Sequence, residues 1–308
     1  MCTRLEFDLV DLAMRIIEIK DIAARVRLKL GCIVVECDGV VKIAIPATEV
    51  GVLLLTNPAI LCSAAAISEV ANSGGVVVTC DSKWLPNGIL LPINGNHIQT
   101  QRFRLQSEAK VPLKKQLWKA IIQRKVANQS EVLIRLFGED FGLGNLVSCV
   151  KSGDITNVEA RAAKRYWGSI FGMHGFRRSD DEAPQNHLLN YGYAVLRAII
   201  ARAICSTGLH PSLGIHHRNK YNAFCLADDL MEPFRPCVDL VIAKMLQASP
   251  TTSVEDTATR GQIISAITLK WKVGEEHRSI FDASTRLASS LVTSFTCKKA
   301  FLELPFLG

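Results

Sequence analysis

The spacing at which apolar residues recur along the chain changes near residue 98, from the alternation of strands to the spacing of helices. This change constrains the fold more than any other feature. Before it, short runs alternate or are rich in β-branched residues, as in Arg15–Lys20 and Val76–Cys80, which is typical of strands. After it, apolar residues such as Leu113, Leu117 and Ile121 recur at helical spacing. The sequence therefore predicts an α+β protein rather than one sheet or one helical bundle.

The first part has the signals of a small β-rich domain. Cys32–Glu36 and Val40–Ile45 are β-branched runs joined across Asp38-Gly39, which predicts a hairpin. Ser63–Asn72 predicts a short Ala-rich helix, and Pro86-Asn87-Gly88 predicts a turn. We expect this β-rich domain, which would contact partner subunits, to span residues 1–98.

The remainder of the sequence predicts a short connector, residues 99–112, and a larger all-α domain, residues 113–308. Helical patterns occur at Val158–Ile170, Leu188–Ser206, Met231–Gln247 and Ile280–Phe295. Two polar segments predict loops, Arg177–Gln185 and Ser249–Gly261. The apolar tail Leu302–Leu307 would either close the core or dock a partner.

The basic excess of the chain lies wholly in the second part. Residues 1–98 carry 8 Lys/Arg and 10 Asp/Glu, a net charge of −2. Residues 99–308 carry 28 Lys/Arg and 19 Asp/Glu, a net charge of +9. Such asymmetry fits a phosphate-rich partner, although a solvated basic surface would give the same count.

Cysteine usage favours a reducing compartment. The ten cysteines form no C-x-x-C pair, and the closest two, Cys32 and Cys37, have the wrong spacing for a zinc knuckle or a redox motif. Most lie in apolar runs, where a free cysteine acts as a small hydrophobe. We therefore expect a cytoplasmic protein.

Neither a signal peptide nor a membrane span is expected. The first residues are acidic (Glu6, Asp8, Asp11) and lack the basic start of a signal peptide. The apolar run Val50–Ile67 is interrupted by Asn57-Pro58 and is a poor membrane segment.

Three polar positions in the predicted helical domain could carry chemistry: Glu159, His217 and Glu232. Two carboxylates and an imidazole suit Mg²⁺ or Mn²⁺ and leave coordination positions open. Such an ion would support phosphodiester chemistry, because it polarises the phosphoryl oxygen and offsets charge in the transition state. The three residues lie 58 and 15 positions apart, so only the tertiary fold could bring them together.

Each of the three also has a plain structural interpretation. Thr156-x-x-Glu159 fits a capping box, and spacing alone favours this reading. His217 could be a solvated turn residue beside His216. Glu232 could be a first-turn carboxylate attracted to the helix dipole. The pattern of residues by itself leaves these alternatives open.

Several motifs resemble a known family. Four follow one another in the family's order: Asn157-x-Glu159-Ala160-x-Ala162, the helix Asn186–Arg197 (NHLLNYGYAVLR), the turn Gly214-x-x-His217 and the segment Asp229–Pro236 (DLMEPFRP). The N-terminal part also agrees, with Asp81 followed by Leu85-Pro86-x-Gly88. Together they resemble the CRISPR adaptation integrase, CRISPR-associated protein one, over nearly the whole chain. The length of the chain and the residues around His217 and Glu232 resemble those of the type II branch of this family.

The resemblance implies that Glu159, His217 and Glu232 are the catalytic residues and ligate Mg²⁺ or Mn²⁺. It selects His217 over its neighbour His216, because the family's turn places the ligand at this position. Asp229 matches an acidic position that in some relatives also lies at the site, and we treat it as auxiliary.

Other polar residues are weaker candidates. Tyr191 could approach the scissile phosphate, and Arg235 could hold the carboxylates or touch DNA, whereas we expect Tyr193 only to pack. Three cations on the helix of Glu159 could contact the DNA backbone or merely be solvated: Arg161, Lys164 and Arg165.

The resemblance also implies an activity and partners. The family joins the 3′-hydroxyl ends of short DNA fragments to a CRISPR repeat by transesterification, as a homodimer that assembles with CRISPR-associated protein two into a heterohexamer. Double-stranded DNA, both fragment and repeat, is thus the expected substrate, and type II accessory proteins are further candidate partners. Three alternatives remain: a stand-alone metal-dependent nuclease on branched or single-stranded DNA, a non-catalytic DNA-binding scaffold, and a transposon-borne relative that integrates its own ends.

Overall fold

The computed structural model describes residues 14–20, 24–172, 176–178 and 183–307. Cys2 and the acidic residues Glu6, Asp8 and Asp11 lie outside this part of the chain. Most strands come first and most helices afterwards, which confirms the predicted α+β class. The strands are β1 (Arg15–Ile19), β2 (Arg25–Lys29), β3 (Cys32–Cys37), β4 (Val40–Pro46), β5 (Val50–Leu55), β6 (Leu61–Cys62), β7 (Val76–Cys80), β8 (Pro86–Leu90), β9 (Trp271–Val273) and β10 (Glu276–Arg278).

The first eight strands form two sheets that enclose α1 (Ala64–Asn72). One sheet has the order β1-β5-β7-β8, in which only β8 is antiparallel to its neighbour. The other has the order β4-β3-β2-β6 and contains the hairpin predicted across Asp38-Gly39. The side chain of Ser63 accepts a hydrogen bond from the Ala66 N–H and so begins the predicted helix.

Strand β5 is buried on both faces, as is usual for the central strand of a parallel sheet. Its side chains divide between two cores. Leu53 packs between the sheets and α1, beside Val26 and Val70. Val52 and Leu54 point the other way and join the core of the helical part. The β-rich and helical parts therefore share a hydrophobic core, and the predicted domain limits stay a prediction.

The helical part is built around one central buried helix. Its helices are α2 (Gln99–Ser107), α3 (Val111–Phe137), α4 (Gly144–Val147), α5 (Val158–Ser169), α6 (Pro184–Ser206), α7 (Cys225–Met231), α8 (Arg235–Ala248), α9 (Thr257–Ile267) and α10 (Ile280–Cys297). Helix α6 is long and apolar enough to cross a membrane, but 83% of its most apolar window is buried inside the protein. Burial on all sides is what a core helix requires.

The stretch predicted as a connector holds α2 and the start of α3, and its role as a connector stays a prediction. Two local predictions were wrong. The predicted turn at Pro86–Gly88 is the beginning of β8. Met231–Gln247 is not one helix, because Pro233 and Pro236 end α7 and restart the chain as α8, which leaves Glu232 at the junction.

The segment predicted to be all-α also contains a hairpin. Strands β9 and β10 pair antiparallel, and the C-terminal tail adds to it through backbone hydrogen bonds between Lys272 and Phe306. The Leu307 N–H donates to Oδ1 of buried Asn128 at 3.2 Å. The apolar tail thus closes the core of this chain.

The predicted loops are shorter than expected. Helix α9 begins at Thr257, inside the segment predicted as a loop, because the Asp256 carboxylate accepts from the backbone N–H groups of Ala258 and Thr259. Similarly, α6 begins at Pro184, near the end of the other predicted loop. Part of that loop lies outside the described residues.

We expect Gly192→Ala to destabilise the protein by about 1–3 kcal/mol. Gly192 lies where α6 crosses α8, and an added Cβ would lie 2.4 Å from Val238 Cγ1. Gly168→Ala in α5 is the matched control, because its Cβ would meet nothing within 4 Å. The control should gain roughly 0.5–1 kcal/mol. Urea denaturation measures both changes in the free energy of unfolding. Equal changes in the two variants would contradict the close contact between α6 and α8 at Gly192.

Candidate active site

A cavity of about 410 Å³ lies in the helical part beside the start of β8. Three arginines and two acids are among the side chains that line it, together with an imidazole: Arg178, Arg197, Arg235, Asp228, Glu232 and His217. Leu85 and Pro86 from the β-rich part also contribute to the wall. The cavity is thus strongly polar, with cationic groups suited to an anion.

Glu159 does not cap its own helix. The carboxylate of Asp154 accepts hydrogen bonds from the backbone N–H groups of Val158 (2.9 Å) and Glu159 (2.8 Å). Asp154 therefore satisfies the free N–H groups at the start of α5. The capping box suggested by the spacing from Thr156 is wrong, and the Glu159 carboxylate is free to reach Lys125 on α3, whose Nζ lies 2.7 Å from Oε1.

Glu232 is a buried, ionised carboxylate held between two cations. Its side chain is 4% exposed, with Lys125 Nζ 2.6 Å from Oε2 and Arg235 donating to Oε1 at 2.6 Å. Burial alone would raise the pKa of Glu232, but Arg235 and Lys125 more than offset this and lower the pKa to about 2. Glu232 is therefore charged at neutral pH.

Lys125 is the functional residue that our sequence reasoning missed. Buried residues surround it on the inner face of α3: Ile121 and Ile122 one turn earlier, Asn128 and Gln129 one turn later. A lysine on the buried face of a helix needs an acidic partner. The position of Lys125 on the buried face of α3 could therefore have predicted a nearby carboxylate. Burial lowers the pKa of Lys125, but Glu232 and Glu159 outweigh burial and raise it.

His217 lies on a turn held by one buried carboxylate. Asp229 accepts backbone N–H bonds from His216 (2.9 Å) and His217 (3.2 Å), and its Oδ1 lies 2.6 Å from His217 Nδ1. The turn needs Gly214, because a Cβ there would lie 2.4 Å from the His217 carbonyl oxygen. The hydrogen bond to Asp229 raises the pKa of His217 despite partial burial. It also leaves Nε2 as the ring atom available to a ligand.

The structure brings the three predicted ligands together only in pairs. Glu159 and Glu232 contact the same Lys125 ammonium, so their oxygens lie no further apart than the sum of those two contacts. His217 and Glu232 line the same cavity. Within the described ranges, no three His, Cys, Asp or Glu side chains are arranged to hold a metal. The donor types nevertheless fit a hard cation, because a positive charge already bridges the two carboxylates.

The auxiliary residues divide into two kinds. Asp229 positions His217, and Arg235 holds Glu232, while its guanidinium lies 4.2 Å from the centre of the Tyr193 ring. Tyr191 is fully buried in the core and is not among the residues that line the cavity, whereas Tyr193 lines it. The expectation that Tyr191, not Tyr193, approaches the site is therefore corrected.

The three cations of α5 lie outside the cavity. Arg161 and Lys164 are exposed on the outer face of the helix. Arg165 donates to the Gly142 carbonyl oxygen at 2.9 Å and so holds the loop before α4. Their contact with DNA stays a prediction.

A second concave surface lies on the other side of the His217 turn. The His216 ring stacks on Trp118 with centroids 4.2 Å apart and planes 2° from parallel. Lys114, Lys115 and Arg218 surround this stack. We call this surface, of about 340 Å³, the basic groove. The sequence analysis did not predict this groove.

The fold and the site define an α+β protein whose helical part carries a cavity walled by arginines and paired acids. The model of the family described as CRISPR associated protein Cas1 matches residues 19–267. CRISPR-associated endonuclease Cas1 of Neisseria meningitidis is 36% identical over 265 residues, 85% of this chain and 86% of the relative. The chain therefore belongs to the Cas1 family, as the motifs predicted.

More distant relatives agree. CRISPR-associated endonuclease Cas1 2 of Pyrobaculum aerophilum is 30% identical over 238 residues, 73% of this chain and 80% of that protein. Three solved structures have the same fold: a casposase bound to integration product (TM-score 0.76, 17% identity, 94% of this chain and 93% of that one), a Cas6-RT-Cas1–Cas2 complex (0.74, 15%, 95% and 36%) and a Cas1 protein from Thermotoga maritima (0.71, 14%, 94% and 98%).

Behind Arg235, a buried carboxylate supports the cavity wall. Asp239 is 1% exposed and accepts hydrogen bonds from the hydroxyls of Tyr166, at 2.9 Å, and Tyr193. Burial raises the pKa of Asp239 from 3.8 to about 6, although Tyr193, Arg235 and Tyr166 partly offset the effect.

We expect the contribution of Asp239 to stability to fall as pH rises from 4 to 7. Its folded-state pKa lies above its ordinary value, so the folded protein holds this proton more tightly than the unfolded chain does. Stabilisation present below pH 4 is then lost through pH 6, by about 3 kcal/mol. Asp239→Asn does not titrate. Urea denaturation should show the wild-type advantage over this variant shrinking with pH, and a constant difference would contradict the shift.

Proposed function

We propose that this protein is a metal-dependent DNA integrase of CRISPR adaptation, which joins the 3′-hydroxyl of a short DNA fragment to a repeat. One observation carries the proposal. The ionised Glu232 shares a single cation position with Glu159 and faces a cavity that also contains His217 and three arginines. A site of this composition can bind a phosphodiester and a hard cation together.

Glu159, Glu232 and Nε2 of His217 would hold the divalent ion. Carboxylate oxygens and one imidazole suit Mg²⁺ or Mn²⁺. When bound, such an ion polarises the phosphoryl oxygen and lowers the pKa of the attacking hydroxyl. Asp229 fixes the orientation of His217 in this arrangement, because outer hydrogen-bond partners set the ring tautomer of a ligand histidine.

The arginines of the cavity would bind the reacting phosphate. Arg178, Arg197 and Arg235 line the cavity, and guanidinium groups match phosphate oxygens in pairs. The 3′ oxygen of the fragment forms a bond to phosphorus, and the bond from phosphorus to the repeat's own 3′ oxygen breaks. The attacking hydroxyl loses a proton and the leaving oxygen gains one, so no external oxidant or energy source is required.

The proposed partners follow from the need to join both ends of the DNA fragment. Integration of both fragment ends needs two active sites, which a homodimer supplies. The similar Cas6-RT-Cas1–Cas2 complex supports Cas2 as the further partner, and we propose that the two proteins assemble as a heterohexamer. The casposase bound to integration product supports integration as the reaction, and we propose double-stranded DNA as its substrate. The nearly neutral β-rich part suits protein contacts. We further assign the protein to the type II branch, with accessory proteins selecting fragments.

Hydrolysis of DNA is the second candidate function. The curated relatives are named endonucleases, and the same residues would serve if water replaced the 3′-hydroxyl as the attacking group. The two reactions differ in one requirement, since only strand joining consumes a 3′-hydroxyl.

We expect Glu159→Gln to abolish strand joining. The test uses a labelled fragment, a plasmid with a CRISPR repeat, the partner protein and Mn²⁺. Joining should fall by more than the roughly 10–100-fold that loss of an outer partner causes, because the carboxylate itself is lost. Glu131→Gln is the control, since Glu131 only pairs with Arg135 on the surface of α3.

Two readouts separate the candidate functions. A fragment with 3′-dideoxy ends should give no joined product with the wild-type protein. Nicking that persists with such ends and disappears in Glu159→Gln would favour the nuclease. Normal joining by Glu159→Gln would contradict the site assignment altogether.

We expect Lys114→Ala/Arg218→Ala to weaken DNA binding without abolishing it. Both cations lie in the basic groove, and each phosphate that is no longer neutralised should reduce the slope of log K against log salt concentration by about 0.9. Fluorescence anisotropy at several salt concentrations measures the slope. Lys42→Ala on the edge strand β4 is the control and should leave it unchanged. An unchanged slope in the double variant would show that DNA avoids the groove.

A further inference from the structure

We propose that Lys125 is a built-in competitor of the divalent ion, and that the ion binds Glu159 and Glu232 only by displacing the lysine ammonium. This inference rests on the proposed function, because it assumes that the two carboxylates are metal ligands. It assigns to Lys125 the role of setting the metal affinity of the site, and with it the conditions under which the site becomes active.

The geometry places the ammonium where a bridging cation would lie. Lys125 Nζ is 2.7 Å from Glu159 Oε1 and 2.6 Å from Glu232 Oε2. Mg²⁺ binds oxygen at about 2.0–2.1 Å, which is shorter than these contacts, so an ion held by the same two oxygens would need the space between them that the ammonium now fills. A dication and an ammonium cannot share that space, because they repel at contact distance in a poorly solvated site.

The charges of the cluster balance without a metal. The two carboxylates of Glu159 and Glu232 face the two cations Lys125 and Arg235. A divalent ion would add two positive charges to a neutral group. Departure of the Lys125 ammonium removes one of them, whereas Arg235 also stacks on Tyr193 and is held in place. Lysine is therefore the cation that moves.

The side chain of Lys125 is suited to such an exchange. Lysine has a flexible four-carbon stem and a compact charge, and the carboxylates come from different elements, α5 and the junction of α7 with α8. The lysine thus keeps two like charges together before the ion arrives.

The test measures Mn²⁺ binding to the purified full-length chain without DNA. Electron paramagnetic resonance reports free Mn²⁺ during a titration, and thermal unfolding with and without Mn²⁺ reports the stabilisation. Lys125→Met should bind Mn²⁺ on the order of 10-fold or more tightly than wild type, since the ligand charge is no longer neutralised. Mn²⁺ should also raise its Tm by more. Lys119→Met, six residues earlier on α3, is the matched control and should behave as wild type.

Two further variants keep the test decisive. Lys125→Gln is neutral but can still donate to a carboxylate, so it serves if the methionine variant does not fold. Lys125→Met/Glu159→Gln should lose the gain in affinity, which locates the binding at this pair.

The outcomes distinguish the two proposals. Equal Mn²⁺ affinity in wild type and in the neutral variants, with loss in Glu159→Gln, would overturn competition and leave the metal site standing. Absence of Mn²⁺ binding in every variant would overturn both. A gain that survives Glu159→Gln would place the ion elsewhere and overturn the role of Lys125.

Discussion

The ion cluster around Lys125 is the interaction on which the arrangement of the site depends. One ammonium joins carboxylates from α5 and from the junction of α7 with α8 to the long helix α3. Burial of these charges is costly, and it is tolerated only because each has a partner. If Lys125 were lost with no cation to replace it, Glu159 and Glu232 would repel each other. Under the proposed function, the same contacts that stabilise the fold would also define where the divalent ion binds.

The β-rich part contributes to this site through the shared core. Val52 and Leu54 of β5 pack into the helical core, which fixes the sheet against α6. Residues Leu85 and Pro86, at the start of β8, then reach the wall of the cavity. Movement of the sheet would consequently be felt at the site. A partner that binds the β-rich part would therefore have a direct physical route to the cavity of the candidate site.

Some of this architecture could be predicted from sequence and some could not. The spacing of apolar residues indicated the α+β class and the long helices, because an element that buries one face has apolar residues at regular intervals. It did not reveal the capping of α5. Thr156 and Glu159 have the spacing of a capping box, but Asp154 lies in the better position, a matter of local backbone geometry. Lys125 was missed for a related reason: its meaning comes from residues 34 and 107 positions away.

Adjacent histidines illustrate how the tertiary fold assigns roles that composition leaves open. His216 and His217 are chemically identical, and their rings lie 5.7 Å apart. The turn sends them to different surfaces, so that His216 stacks on the indole of Trp118 in the basic groove. His217 instead contacts Asp229 through Nδ1 and lines the cavity of the candidate site. A single buried carboxylate therefore separates a groove-facing ring from a candidate ligand, and a short turn couples the two surfaces.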